Sequence, residues 1–148
     1  MINKMLKGEQ PIIYGDGEQK RTLSYIDDCI SCIEKVITQD NLNGEIINIG
    51  PDEEFVTINE LAKELADIMN FDLDPIYVKD RPKEVKNATC SSDKARKLLG
   101  YKTKTSLRKG LEEMVKDIKK KGPKEFQYNY KLEITNENTP DTWKKKMI

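Results

Sequence analysis

The spacing of apolar positions divides the chain into a series of short elements. Ile2 to Leu6 reads as the end of a helix closed by Gly8, with no cap ahead of it, so the pattern opens in mid-element and suggests truncation. Pro11-Ile12-Ile13-Tyr14 is a short apolar run bounded by turn residues, which predicts a strand. Thr22 to Ile26 predicts a second. The period then lengthens. Ile26, Cys29, Ile30, Ile33, Val36 and Ile37 recur at threes and fours, as one face of a helix does, with Asp27 as its N-cap and Asp28 at the positive end of its dipole. Asn43-Gly44 ends that helix. Glu45 to Gly50 predicts a further strand, and its nearly continuous apolar run suits burial on both faces of a parallel sheet.

The second half is punctuated more clearly. Pro51 to Glu54 is a polar loop. Thr57-Ile58-Asn59-Glu60 has the form of a capping box, opening a helix with Leu61, Ala62, Leu65, Ala66, Ile68 and Met69 on one side. Pro75 to Val78 predicts a strand, and Asp80-Arg81-Pro82-Lys83-Glu84 a charged turn. Ser91 or Ser92 caps a short helix through Leu99, which Gly100 closes in the left-handed conformation. Thr105 or Ser106 opens the last helix, with Leu107, Leu111, Met114, Val115 and Ile118 inward, and Gly122-Pro123 stops it. Beyond Lys124, Phe126, Tyr128, Tyr130, Leu132 and Ile134 alternate with polar residues, the period of a strand or of an extended tail laid on a surface. Trp143 is expected to pin that tail.

Composition narrows the function. The 26 basic and 26 acidic residues cancel, and no histidine is present, so nothing supports a general electrostatic grip on nucleic acid. No apolar run approaches the roughly 20 residues that span a bilayer, and the first residues do not form a signal peptide. The expectation is a soluble, cytoplasmic protein with no membrane partner. The lysine runs at 119–121 and 144–146 read as solvated ends. Cys29, Cys32 and Cys90 are expected to be free thiols. The Cys29-x-x-Cys32 pair lacks the ligands for tetrahedral zinc, and it shares a helix with an apolar stripe, so core packing accounts for it. A redox role is the remote alternative.

The chemistry concentrates at Gly15-Asp16-Gly17 and the residues after it. Two glycines let the backbone turn at positive φ, and the turn delivers Arg21 to a fixed place. A guanidinium held this way can grip a phosphate with two parallel hydrogen bonds. The same stretch also reads as a surface hairpin with a solvated arginine, and the residues alone leave both readings open.

Taken in order, the motifs resemble the C-terminal portion of the extended short-chain dehydrogenase/reductase family, in particular its NAD-dependent nucleotide-sugar epimerases and dehydratases of the UDP-glucose 4-epimerase type. The resemblance is carried by Tyr14-Gly15-Asp16-Gly17 with Arg21 and Asp28, then Asn48-Ile49-Gly50, then Arg81-Pro82-Lys83-Glu84, then Asp93-Lys94-Ala95-Arg96-Lys97-Leu98-Leu99-Gly100-Tyr101. Thr139-Pro140-Asp141-Thr142-Trp143 is similar to the tail of a bacterial subgroup. The implied fold is an α/β substrate-binding lobe, a small mixed sheet with helices, lacking most of the Rossmann domain. Residues 1–122 would form this nucleotide-sugar-binding lobe and residues 123–148 an extended tail packed on it.

The resemblance also implies a site. Arg21 and Arg81 would clamp the diphosphate of a UDP- or dTDP-linked sugar. Tyr14 would lie against the base, and backbone groups near Ile12 would read the base edge. Glu84 would orient Arg81. Asp28 would tie the turn to its helix, and Asn48 has a structural role. Lys83 stands where the family usually has glycine. NAD is implied for full-length members, which bind it on a Gly-rich turn and use a Tyr-x-x-x-Lys pair. Neither motif occurs here, so this chain alone is expected to hold no cofactor and no metal, and to catalyse nothing. It would be the substrate-binding part of a sugar-nucleotide enzyme, serving cell-surface polysaccharide synthesis. Its partner would be the missing Rossmann domain, or a second copy joined through exposed apolar surface. The alternative is a non-catalytic interaction protein that keeps the lobe's fold.

Overall fold

Residues 1–52, 54–124 and 136–146 are described by a computed structural model. Helix α1 (Ile2–Leu6) leads to strand β1 (Ile12–Tyr14), the short strand β2 (Lys20–Arg21) and helix α2 (Ile26–Thr38). Strand β3 (Val56–Thr57), helix α3 (Ile58–Met69), strand β4 (Ile76–Val78), helix α4 (Asp93–Leu99) and helix α5 (Leu107–Lys121) follow, and the four-residue helix α6 (Asp141–Lys144) lies near the end. The result is a mixed α/β architecture with very small sheets.

Strand β1 pairs in parallel with β4, placing Ile12 beside Ile76, Ile13 beside Tyr77 and Tyr14 beside Val78. Ile13, only 1% exposed, is the strand's inward residue. Strand β2 pairs antiparallel with β3.

Two cores hold the helices. Ile2 and Met5 of α1, Leu65 and Ala66 of α3, and Leu111 and Val115 of α5 form the first. At its rim Arg108 of α5 reaches Glu64 and Asp67 of α3 at 2.8 and 2.7 Å. Cys32, Leu42, Ala95, Leu99 and Tyr101 form the second, between α2 and α4. The caps follow their chemistry. Thr57 accepts from the Glu60 amide while the Glu60 carboxylate takes the Thr57 amide, a complete capping box. Asn70 closes α3 and Gly100 closes α4, both in the left-handed conformation. Ser106 caps α5.

Four expectations need correction. The predicted strand over 22–26 is displaced to Lys20–Arg21, because those residues find a ladder with Val56 and Thr57 that local pattern does not reveal. Helix α2 starts two residues earlier than its acidic pair suggested: Tyr25 is its N-cap, and Asp27 lies in its first turn. Residues 45–49 form no strand, because among the described residues no other strand lies beside them. Finally, the apolar stripe of α2 is not core. Ile26, Ile30, Ile33, Val36 and Ile37 are all exposed, Ile37 by 79%, and the helix buries Asp28 and Cys32 instead. The predicted alternating segment 126–134 lies outside the described residues.

Candidate functional site

The site starts from the end of β1. The Ile76 amide donates to the Pro11 carbonyl, and the Gly15 amide to the Val78 carbonyl. Backbone groups alternate along a strand, so Pro11, Ile13 and Gly15 face β4, and the amides and carbonyls of Ile12 and Tyr14 face the other edge. On that edge the Tyr14 carbonyl accepts from Gln19 Nε2 at 3.1 Å. Ile12 thus offers its backbone where no strand pairs with it among the described residues.

The chain then turns through Gly15 (φ 65°) and Gly17 (φ 74°). Both glycines are required twice over. The left-handed φ disfavours a side chain, and a Cβ at Gly15 would collide with the Asp80 carboxylate, at Gly17 with the Asn59 amide. Asn59, in the first turn of α3, fixes the turn further. Its amide donates to the Gly17 carbonyl, and its Nδ2 donates to the Asp16 carbonyl and to Glu18 Oε1. A turn filled by a carboxylate and an amide is no cradle for a dinucleotide diphosphate, which needs open backbone amides. These glycines do not fit NAD.

The turn delivers Arg21 into β2. Its Nη1 donates to the Lys20 and Lys86 carbonyls at 2.7 and 3.4 Å, and its Nη2 to Glu84 Oε1 at 2.8 Å. Three of its five N–H groups are used this way, leaving Nε and one Nη2 hydrogen for a ligand. Arg81 approaches the same carboxylate, with Nε 3.9 Å from Glu84 Oε2. Glu84 therefore holds Arg21 directly and Arg81 at longer range. Its Oε2 is buried and accepts no hydrogen bond among the described residues. One carboxylate facing two guanidiniums leaves a unit of positive charge uncompensated. Lys83, in the turn between Arg81 and Glu84, takes φ 59°, the conformation a glycine would adopt freely.

The Arg81 guanidinium lies over the Tyr14 ring, 4.0 Å from its centroid. The Tyr14 hydroxyl is hydrogen-bonded to the hydroxyl of Thr142 on α6. So Tyr14, Arg21, Arg81 and Glu84 form one connected group, with the backbone of Ile12 on the adjoining strand edge. Pattern reasoning missed Thr142, which lies 128 positions from its partner. Trp143, expected to pin the tail, is half-exposed, and it is Thr142 that is buried.

Asp28 serves structure. It accepts from the Lys104 and Thr105 amides, both at 3.0 Å, and from the Thr105 hydroxyl at 3.1 Å, tying the start of α2 to the turn before α5. Burial alone would raise its pKa, but these donors outweigh burial and hold the carboxyl below the usual aspartate value. Burial pushes the Cys29 thiol up, the wrong direction for a reactive thiolate. Among the described residues no cluster of three or more metal-ligating side chains occurs, and no helix is long and apolar enough to cross a membrane.

A cavity of about 430 Å³ lies elsewhere, lined by Leu61, Leu65, Leu107, Leu111 and Met114 among others and by none of the group just described. It carries no charged side chain, unlike the group around the arginines. The charge and the donors lie at the arginines.

A family model described as GDP-mannose 4,6 dehydratase matches residues 1–114. The chain belongs to this family. It corresponds to the C-terminal portion of extended short-chain dehydrogenase/reductase enzymes. A putative UDP-glucose 4-epimerase of Methanocaldococcus jannaschii is 35% identical over 118 residues, 80% of this chain and 37% of that protein. The Thermotoga maritima UDP-glucose 4-epimerase, solved with UDP-glucose, superposes with a TM-score of 0.75 at 32% identity, over 81% of this chain and 38% of the enzyme. The Bacillus cereus UDP-glucuronic acid 4-epimerase, solved with UDP-glucuronic acid and NAD, gives 0.76 at 34% identity, over 82% and 38%. The chain thus spans under two fifths of the epimerases it matches.

Proposed function

We propose that residues 1–122 form the nucleotide-sugar-binding lobe of an NAD-dependent epimerase or dehydratase, with residues 123–148 as a tail on that lobe. The ligand is a UDP- or dTDP-linked sugar. The observation that carries this reading is the convergence of Arg21 and Arg81 on Glu84 beside Tyr14. Two guanidiniums sharing one carboxylate keep net positive charge, and the free Nε–H and Nη2–H of Arg21 match two phosphate oxygens. An aromatic face and an open strand edge adjoin them, suited to a base. In this reading hydride transfer to NAD rests with parts of such enzymes outside these 148 residues. The sequence has no Tyr-x-x-x-Lys, and its glycine turn is filled.

Calorimetry with UDP and dTDP tests the reading. Saturable binding that Arg21→Lys weakens at least tenfold, in a chain whose circular dichroism is unchanged, supports it. Absence of binding by the folded native chain overturns it.

The exposed stripe of α2 and residues 46–49, which join no strand ladder among the described residues, support a second element of the reading, docking of the lobe onto the Rossmann portion of the family. That occupant is favoured because the chain spans so little of its relatives, and because an unpaired extended segment calls for strands as much as for apolar surface. Sedimentation of the chain alone and mixed with a separately expressed Rossmann portion separates the outcomes. A complex only in the mixture supports docking, while a dimer of the chain alone supports self-association instead.

A further inference from the structure

The C-terminal segment contributes a contact that the reading above does not use. Residues 136–146 have their own local order. Thr139 Oγ1 accepts from the Asn136 amide, Asn136 Oδ1 accepts from the Asn138 amide, and α6 follows Pro140. From α6 a single residue is driven into the protein: Thr142 is 2% exposed, while Trp143 beside it is half-exposed.

Threonine is a costly choice for that position unless its hydroxyl is used. Valine has nearly the same volume and no polar atom to desolvate. The hydroxyl is used, and its partner is the Tyr14 phenol. Tyr14 ends β1, where the ladder to Val78 fixes the backbone but leaves the ring to its side-chain torsions. Tying down the far end of the ring removes that freedom. Arg81 lies over the same ring, but it also lies within 4 Å of Glu84, the carboxylate that holds Arg21, so both guanidiniums have an anchor that does not depend on the far end of the ring.

We propose that Thr142 is a positioning residue of the nucleotide site, holding the Tyr14 ring in the orientation that receives the base of a nucleoside diphosphate. The inference deepens the function proposed above and rests on it. Thr142 touches no ligand. It acts through Tyr14, so its removal affects recognition of the base and not of the diphosphate.

The test compares UDP with inorganic diphosphate by calorimetry on the whole chain. One net hydrogen bond corresponds to about a five- to tenfold change in affinity. Thr142→Val is expected to weaken UDP by about that factor and diphosphate by less than about twofold. Thr142→Ser, which keeps the hydroxyl, restores UDP binding. In a Tyr14→Phe background Thr142→Val has no further effect, because the partner hydroxyl is already gone.

Unchanged UDP affinity in Thr142→Val overturns the inference. So does an equal loss of both ligands, or a loss that persists undiminished in Tyr14→Phe. If the native chain binds neither ligand, the sugar-nucleotide reading falls as well. If it binds UDP and Thr142→Val is silent, only the present inference falls. Should Thr142→Val fail to fold, Tyr14→Phe decides the matter through Trp143, the chain's one tryptophan. Its emission shifts if the hydroxyl pair anchors the tail, and a spectrum identical to the native one overturns the inference.

Discussion

Helices α2 and α3 have the same periodicity and opposite fates. Both carry apolar residues at threes and fours. Leu65 and Ala66 of α3 close against α1 and α5, whereas Ile30, Ile33 and Ile37 of α2 face outward. Helix α2 is held by its other side, through Cys32 against α4 and through Asp28 against the turn before α5. An apolar periodicity marks one face of a helix, and does not tell whether another part of the same chain packs on it. The stretch after α2 carries the same message in strand form. Its residues have the composition of a doubly covered strand, yet Ile46 is 84% exposed.

The contrast can be broken most sharply in the first core. Leu65→Ala is expected to destabilise the chain by about 2–5 kcal/mol, read from denaturant midpoints, because Leu65 packs between three helices. A loss below about 1 kcal/mol would mean that this core is as loose as the α2 face.

Next comes Asp28, the polar anchor of α2. Asp28→Asn removes a carboxylate that accepts three hydrogen bonds and should cost about 1–3 kcal/mol. The sign in pH follows. The folded pKa lies below the reference value of 3.8, so the stabilisation is complete above that value and is lost as pH falls through the lower folded pKa. Acid titration of stability should therefore show a steeper loss below about pH 4 in the native chain than in Asp28→Asn.

Thr57→Ala removes one half of the capping box of α3 and should cost about 1 kcal/mol. Smallest of all, Ile37→Ala on the open face of α2 should change stability by less than about 0.5 kcal/mol. A large loss there would show that a second copy covers the face in solution, and the denaturation midpoint would then depend on protein concentration.

Local chemistry was the legible part of this sequence. The capping box at Thr57, the left-handed end at Gly100, and the β1 and β4 strands depend on a few neighbouring residues, and the pattern names them. Strand β2 was displaced because its ladder depends on Val56 and Thr57, some 35 positions on. The fate of α2 was illegible for a different reason, since periodicity encodes a face and not its partner. Within the site, Tyr14, Arg21, Arg81 and Glu84 could be named from ordered motifs. The division of Glu84 between the two arginines could not, because it depends on how two turns approach each other. Thr142 stood in the Thr139–Trp143 tail motif, but nothing in that motif pointed to its partner Tyr14, 128 positions away.

Residues 46–49, which join no strand ladder among the described residues, have a consequence for handling the protein. Unpaired strand edges with apolar side chains template their own stacking. On warming or concentration, turbidity with a thioflavin-positive signal should precede the loss of helical ellipticity. A lysine at Ile46 would act as a gatekeeper, delaying the haze without lowering the melting point.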